Sequence, residues 1–121
     1  MELKKVNNTG NKSKELLLEK EYYSNLFDFY ESLFTDKQIE YFKEYYFYDL
    51  SLSEISENHN ISRAAVYDAL SKMQDALDNY EKSLGLFKKY NRLNELCSLY
   101  EEKGKNDPLV LELIAKIKEN E

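Results

Sequence analysis

Ser62 and Arg63 are the residues of this 121-residue chain whose types and order best suit chemistry. A serine followed by an arginine at the start of an apolar-periodic segment gathers a hydroxyl, a guanidinium and the free N–H groups of a helix start. Such a cluster suits an anion. Farther along the same segment, Ala64, Tyr67, Asp68 and Ser71 fall on the same outward face, with Lys72 beside them. A second basic group, Lys82, Lys88, Lys89 and Arg92 with Tyr90 among them, suits phosphate contact and stacking on bases. Its alternative is a solvated helix face, because Glu81 and Glu95 flank it.

Other chemistry finds little support. His59 is the only histidine, and no cysteine or second histidine near it in sequence completes a metal set, so packing in a turn is its expected role. Cys97 sits in an apolar row and reads as a small hydrophobe. Thirteen carboxylates follow Leu50, so adjacent pairs such as Glu101-Glu102 arise by chance. There is no glycine-rich phosphate loop, no zinc spacing and no nucleophile with a base, so the expectation is a protein without catalytic activity, cofactor or small-molecule substrate.

The elements that would hold these residues are helices. Three Gly and one Pro give little of the punctuation that all-β folds need, and Leu, Glu, Lys and Gln are plentiful. From Lys14 to Ser32, Leu18, Tyr22, Leu26, Phe29 and Leu33 form a helical stripe with Tyr23, Phe27 and Tyr30 alongside. Thr35 with Gln38 and Ser51 with Glu54 have capping-box spacing and open two further helices. Ile39, Phe42 and Tyr46 face inward from the first of these, and Leu52 and Ile55 from the second. Asn60 suits the left-handed conformation of a tight interhelical turn, and Ser62 caps the helix that follows.

That unit is a helix-turn-helix. Ile55, Ile61, Val66, Ala69 and Leu70 would lock two helices at a steep angle, with Ser56 as the small residue at the crossing. Each buried Ile, Val or Leu contributes about 1.5–3 kcal/mol. Beyond it, Leu70, Met73, Leu77, Tyr80, Leu84 and Phe87 form one apolar seam, and Leu86, Tyr90, Leu93, Cys97 and Tyr100 another. The two are out of phase at Gly85, where a break is expected. The two seams from Leu70 to Tyr100 either fold back to cover the N-terminal helices or pair with a second copy about a two-fold axis. Gly104 and Pro108 bound a last helix carrying Val110, Leu113, Ile114 and Ile117. The expected organisation is a flexible start over residues 1–13, a helix-turn-helix domain over 14–84 and a helical extension over 85–121.

The net charge is −6, and basic domains are the rule among nucleic-acid binders. From Ser51 to Gln74 there are two positive charges and three negative. On charge, a nucleic-acid reader and a scaffold that binds protein stand level. A single cysteine excludes an internal disulfide, no stretch reaches the roughly 20 apolar residues of a membrane span, and the start lacks an apolar signal core; a cytoplasmic protein with no membrane partner is expected.

The run Leu50-Ser51-Leu52-Ser53-Glu54-Ile55 through Ile61-Ser62-Arg63 to Val66 is similar to region 4 of bacterial sigma factors. A closer resemblance, covering Leu16 to Arg92, is to the YlxM family. It is carried by Phe27-Asp28-Phe29-Tyr30-Glu31-Ser32-Leu33, by Thr35-x-Lys37-Gln38, by Ser51 to Ile55, by Asn60-Ile61-Ser62-Arg63-x-Ala65-Val66-Tyr67-Asp68 and by Tyr80-Glu81-Lys82-x-Leu84. The resemblance implies an all-α, sigma region 4-like bundle with long C-terminal helices. It also implies a cytoplasmic, non-enzymatic accessory role in the signal recognition particle pathway, with the particle's RNA or its GTPase as partner. The family usually carries basic residues just after Tyr67-Asp68, where this chain keeps only Lys72. A sequence-specific DNA-binding regulator and a purely protein-binding module are the alternatives, and a homodimer is compatible with each.

Overall fold

The computed structural model describes residues 12–120, with side chains from Lys14 onward. Among the described residues there are six α-helices and no strand. They are α1 (Lys12–Tyr30), α2 (Asp36–Tyr46), α3 (Leu52–His59), α4 (Arg63–Leu84), α5 (Leu86–Lys103) and α6 (Pro108–Glu119), with a 3-10 turn at Glu31–Leu33 closing α1. The flexible start expected over residues 1–13 lies outside the described residues except at Lys12 and Ser13, which belong to α1.

The helix boundaries follow local chemistry. Both capping boxes form in full: Thr35 Oγ1 accepts from Gln38 N–H (3.2 Å) while Gln38 Oε1 accepts from Thr35 N–H (2.9 Å), and Ser51 and Glu54 repeat the exchange at 3.0 and 2.9 Å. Asn60 takes the left-handed conformation (φ 53°, ψ 46°), turning the chain from α3 to α4. Gly85 ends α4 in the same region (φ 60°). Asp107, absent from the sequence expectations, caps α6 by accepting from Leu109 N–H at 3.0 Å, with Pro108 at the first helical position.

Contacts divide the chain into two compact units, one ending at Gly85 and one starting at Leu86. In the first, α4 packs against α1, α2 and α3. Leu26, Phe27, Tyr30, Phe42, Leu52, Ile55, Val66, Leu70, Met73 and Leu77 are buried. Phe27 and Phe42 stack at 4.0 Å between ring centroids, and Phe42 and Tyr46 at 4.1 Å.

The stripe expected on α1 is rotated in the structure. Tyr23, Leu26, Phe27 and Tyr30 are its buried row, whereas Leu18, Tyr22 and Leu33 are exposed. Both rows have helical spacing; the one that faces the core can satisfy its polar atoms there. Tyr30 Oη donates to Glu81 (2.7 Å) and Tyr23 Oη to Asp78 (3.1 Å), both on α4. Gln74, an unexpected core residue, donates from Nε2 to Tyr46 Oη (2.6 Å) and to Glu19 (3.2 Å), while its buried Oε1 has no partner.

In the second unit, α6 packs on α5. Gly104 lets them approach: a Cβ there would stand 2.5 Å from Val110 Cγ1. Among its described residues only Cys97 and Ile114 are buried, and they floor an apolar groove of about 300 Å³ walled by Leu93, Leu96 and Tyr100 on α5 and Val110, Leu113 and Ile117 on α6. The second seam is thus far more open than its periodicity suggests, with Leu86, Tyr90 and Tyr100 exposed.

Candidate nucleic-acid interface

The helix-turn-helix is α3, the turn at Asn60 to Ser62, and α4. Ile55 and Val66 are fully buried where the two helices meet, and Ile61 N–H donates to the Ser56 carbonyl (3.1 Å), tying the turn to α3. Ser56 itself, half-buried, satisfies its hydroxyl on the Ser53 carbonyl at 2.7 Å.

This lock fixes what α4 presents. Ser62 Oγ accepts from Ala65 N–H (3.0 Å), so its first role is to cap the helix. Arg63 follows, exposed and without an ion pair among the described residues. Ala64 is exposed, whereas Tyr67 and Ser71, expected to face fully outward, are half-buried. Lys72 is exposed but is held by Asp68 one turn earlier (2.9 Å), so its charge is locally cancelled.

The second basic group is divided between the two units. Lys82 is on α4, about 28 Å along the helix axis from Arg63 at 1.5 Å per residue. Lys88, Lys89 and Arg92 are exposed on α5 in the second unit, and Arg92 pairs with Glu95 at 3.6 Å. Charge divides sharply between the units. Residues 86–121 hold seven Lys/Arg and seven Asp/Glu, so the whole of the −6 belongs to the first 85 residues. In that first unit Lys20, Lys37, Lys43 and Lys72 are all ion-paired, to Asp49, Glu40, Glu31 and Asp68.

One polar cluster has no simple sequence signal. Glu44 on α2 accepts from Asn58 Nδ2 (3.0 Å) and from His59 Nε2 (2.5 Å) at the end of α3, while His59 Nδ1 stands 3.8 Å from Glu40 and its ring meets the Tyr41 ring edge-on. Burial pushes the Glu44 carboxyl up, but the hydrogen bonds from Asn58 and His59 outweigh it and hold it below its usual range. Four residues apart, Glu40 and Glu44 share a helix face; that this face meets His59 depends on the crossing of α2 and α3. The cluster braces the turn from behind, and among the described residues no group of three or more His, Cys, Asp or Glu could hold a metal ion.

An all-α core, a capped three-residue turn and an exposed arginine at the start of the following helix define a helix-turn-helix protein. The chain belongs to the UPF0122 family of YlxM / p13-like helix-turn-helix proteins, whose match spans residues 17–118. It is 45% identical over 96 residues to a UPF0122 protein of Lactococcus lactis subsp. cremoris, covering 79% of this chain and 84% of the relative. A UPF0122 protein of Caldanaerobacter subterraneus subsp. tengcongensis is 54% identical over 68 residues, 56% of this chain and 58% of that one. One of Bacillus velezensis is 44% identical over 92 residues, 70% and 84%. The family match extends past the likeness read over Leu16 to Arg92 and takes in α6.

Proposed function

We propose that this protein is a cytoplasmic, non-catalytic accessory factor of the signal recognition particle pathway, and that the first turn of α4 contacts phosphate of the particle's RNA. The observation that carries the contact is Arg63. It stands at the open N–H end of a helix, exposed and unpaired, in a unit where four other cations are each held by a carboxylate. Family membership supports the pathway, through the YlxM resemblance. Lys82, Lys88, Lys89 and Arg92 supply weaker, additional phosphate contacts.

A second reading is favoured by charge. The first unit is strongly acidic and the Asp68–Lys72 pair leaves the outer face of α4 nearly neutral, which suits a protein partner, the particle's GTPase, better than a phosphate backbone.

The test is binding of labelled particle RNA and of random duplex DNA across a salt series, with and without the GTPase. RNA binding that Arg63→Ala weakens, with the log–log salt slope falling by about 1, supports the phosphate contact. Binding to the GTPase alone, unchanged by Arg63→Ala, gives the protein-module reading. Salt-sensitive binding to duplex DNA alone moves the protein to transcription and overturns the pathway assignment.

A further inference from the structure

Glu44, on α2, is bonded to the chain on both sides of α3. Its backbone carbonyl accepts from Leu50 N–H (2.9 Å), two residues before α3 begins. Its carboxylate accepts from Asn58 Nδ2 (3.0 Å) and His59 Nε2 (2.5 Å), on the last two residues of α3. Each carboxylate oxygen therefore has its own donor. The side chain is only 16% exposed, so water competes little for either bond.

The candidate site begins where these bonds end. Asn60, Ile61 and Ser62 make the turn after His59, and Arg63 opens α4. Ser62, Arg63, Ala64 and Ala65 are all exposed, and the first buried residue of α4 is Val66. An exposed first turn has no packing of its own. Its placement follows the end of α3, to which three residues join it, and Ile61 N–H on the Ser56 carbonyl (3.1 Å) makes that joint stiff.

We infer that Glu44 is a positioning residue for the anion contact of Arg63: by holding the end of α3 against α2, it keeps the turn and the first turn of α4 in one geometry. This rests on the RNA-phosphate reading of Arg63. A site ordered in advance spends none of its binding energy on ordering its own backbone. A turn released from α2 would have to be ordered by the ligand, and affinity would fall although no contact with the ligand is lost.

Binding of labelled particle RNA to the full chain across a salt series tests this, with folding checked by circular dichroism. Glu44→Ala loses two hydrogen bonds and should raise Kd roughly tenfold. The log–log salt slope should stay at the wild-type value, because Arg63 still meets its phosphate. Arg63→Ala lowers that slope by about 1, so lost positioning and lost contact read differently. Glu44→Gln can accept from Asn58 through Oε1 and donate to the histidine ring through Nε2, so it should bind within about threefold of wild type. Asn58→Ala breaks one of the two bonds at an exposed residue and should raise Kd about threefold with the slope unchanged. It decides the matter if Glu44→Ala fails to fold. Wild-type affinity in Asn58→Ala and in a folded Glu44→Ala overturns the inference and leaves the Arg63 contact standing, as does a Glu44→Ala slope that changes like that of Arg63→Ala. A wild-type chain that binds no RNA overturns the contact itself, and this role for Glu44 with it.

Discussion

At the scale of single residues, the helix-turn-helix face is set by one ion pair and one free charge that point opposite ways. Asp68 holds Lys72 and cancels it, while Arg63 stands unpaired five residues earlier. Asp68→Asn therefore removes a phosphate-repelling charge and releases a lysine at once. If the outer face of α4 touches RNA, this substitution should tighten binding and raise the salt slope by about 1, opposite in sign to Arg63→Ala. A protein-binding face would instead lose affinity or be indifferent, so a filter-binding titration of the two variants side by side separates the readings. Behind the same turn, Glu44 has the lowered carboxyl expected of an acceptor of two hydrogen bonds. A group depressed in the folded state stabilises it above the unfolded pKa, here about 4.3, and the contribution is lost as pH falls through the folded value. Glu44→Gln keeps an acceptor for Asn58 and removes the charge. It should cost about 1 kcal/mol at pH 7 in urea melts, with the difference from wild type vanishing below the usual carboxylate range.

At the scale of elements, what could be read in advance was whatever is local in sequence. Thr35-x-x-Gln38, Ser51-x-x-Glu54, Asn60, Ser62 and Gly85 each act on neighbours within four residues, and each takes the role that its chemistry assigns. The face of α1 is harder to read, because Leu18/Tyr22/Leu33 and Tyr23/Phe27/Tyr30 are both helical rows; which one is buried depends on distant partners, Phe42 stacked on Phe27 and Asp78 and Glu81 bonded to Tyr23 and Tyr30. Gln74 and the Glu44–His59 bond were illegible for the same reason: a polar residue in an apolar seam is a core residue only if distant elements bring it partners. At the candidate site, Arg63 could be singled out from type and position, whereas the half-burial of Tyr67 and Ser71 and the separation of Lys82 from Arg63 needed the helix itself. The Gly104–Val110 contact spans only six residues, yet it depends on how α6 turns back onto α5, and it makes a test. Gly104→Ala places a methyl into Val110 and should destabilise the second unit by about 1–3 kcal/mol. Val110→Ala in the same chain should recover part of that, as a non-additive double-mutant cycle followed by thermal melts.

At the scale of the whole molecule, the division of charge and of core gives the two units different stabilities. The first unit buries a stacked aromatic core and its stability is a property of one chain, reduced by the mutual repulsion of its excess carboxylates. Among its described residues the second buries only Cys97 and Ile114, so it has far less core to hold it. Heating the full chain should then give two transitions. Added salt should raise the one belonging to the first unit by screening that repulsion, with little dependence on protein concentration. The transition of the second unit, whose charges balance, should move little with added salt. Gly104→Ala should lower the second transition and leave the first alone, which assigns it. A single transition, with calorimetric and van't Hoff enthalpies agreeing, would mean that the chain unfolds as one cooperative body and that its two units do not melt separately.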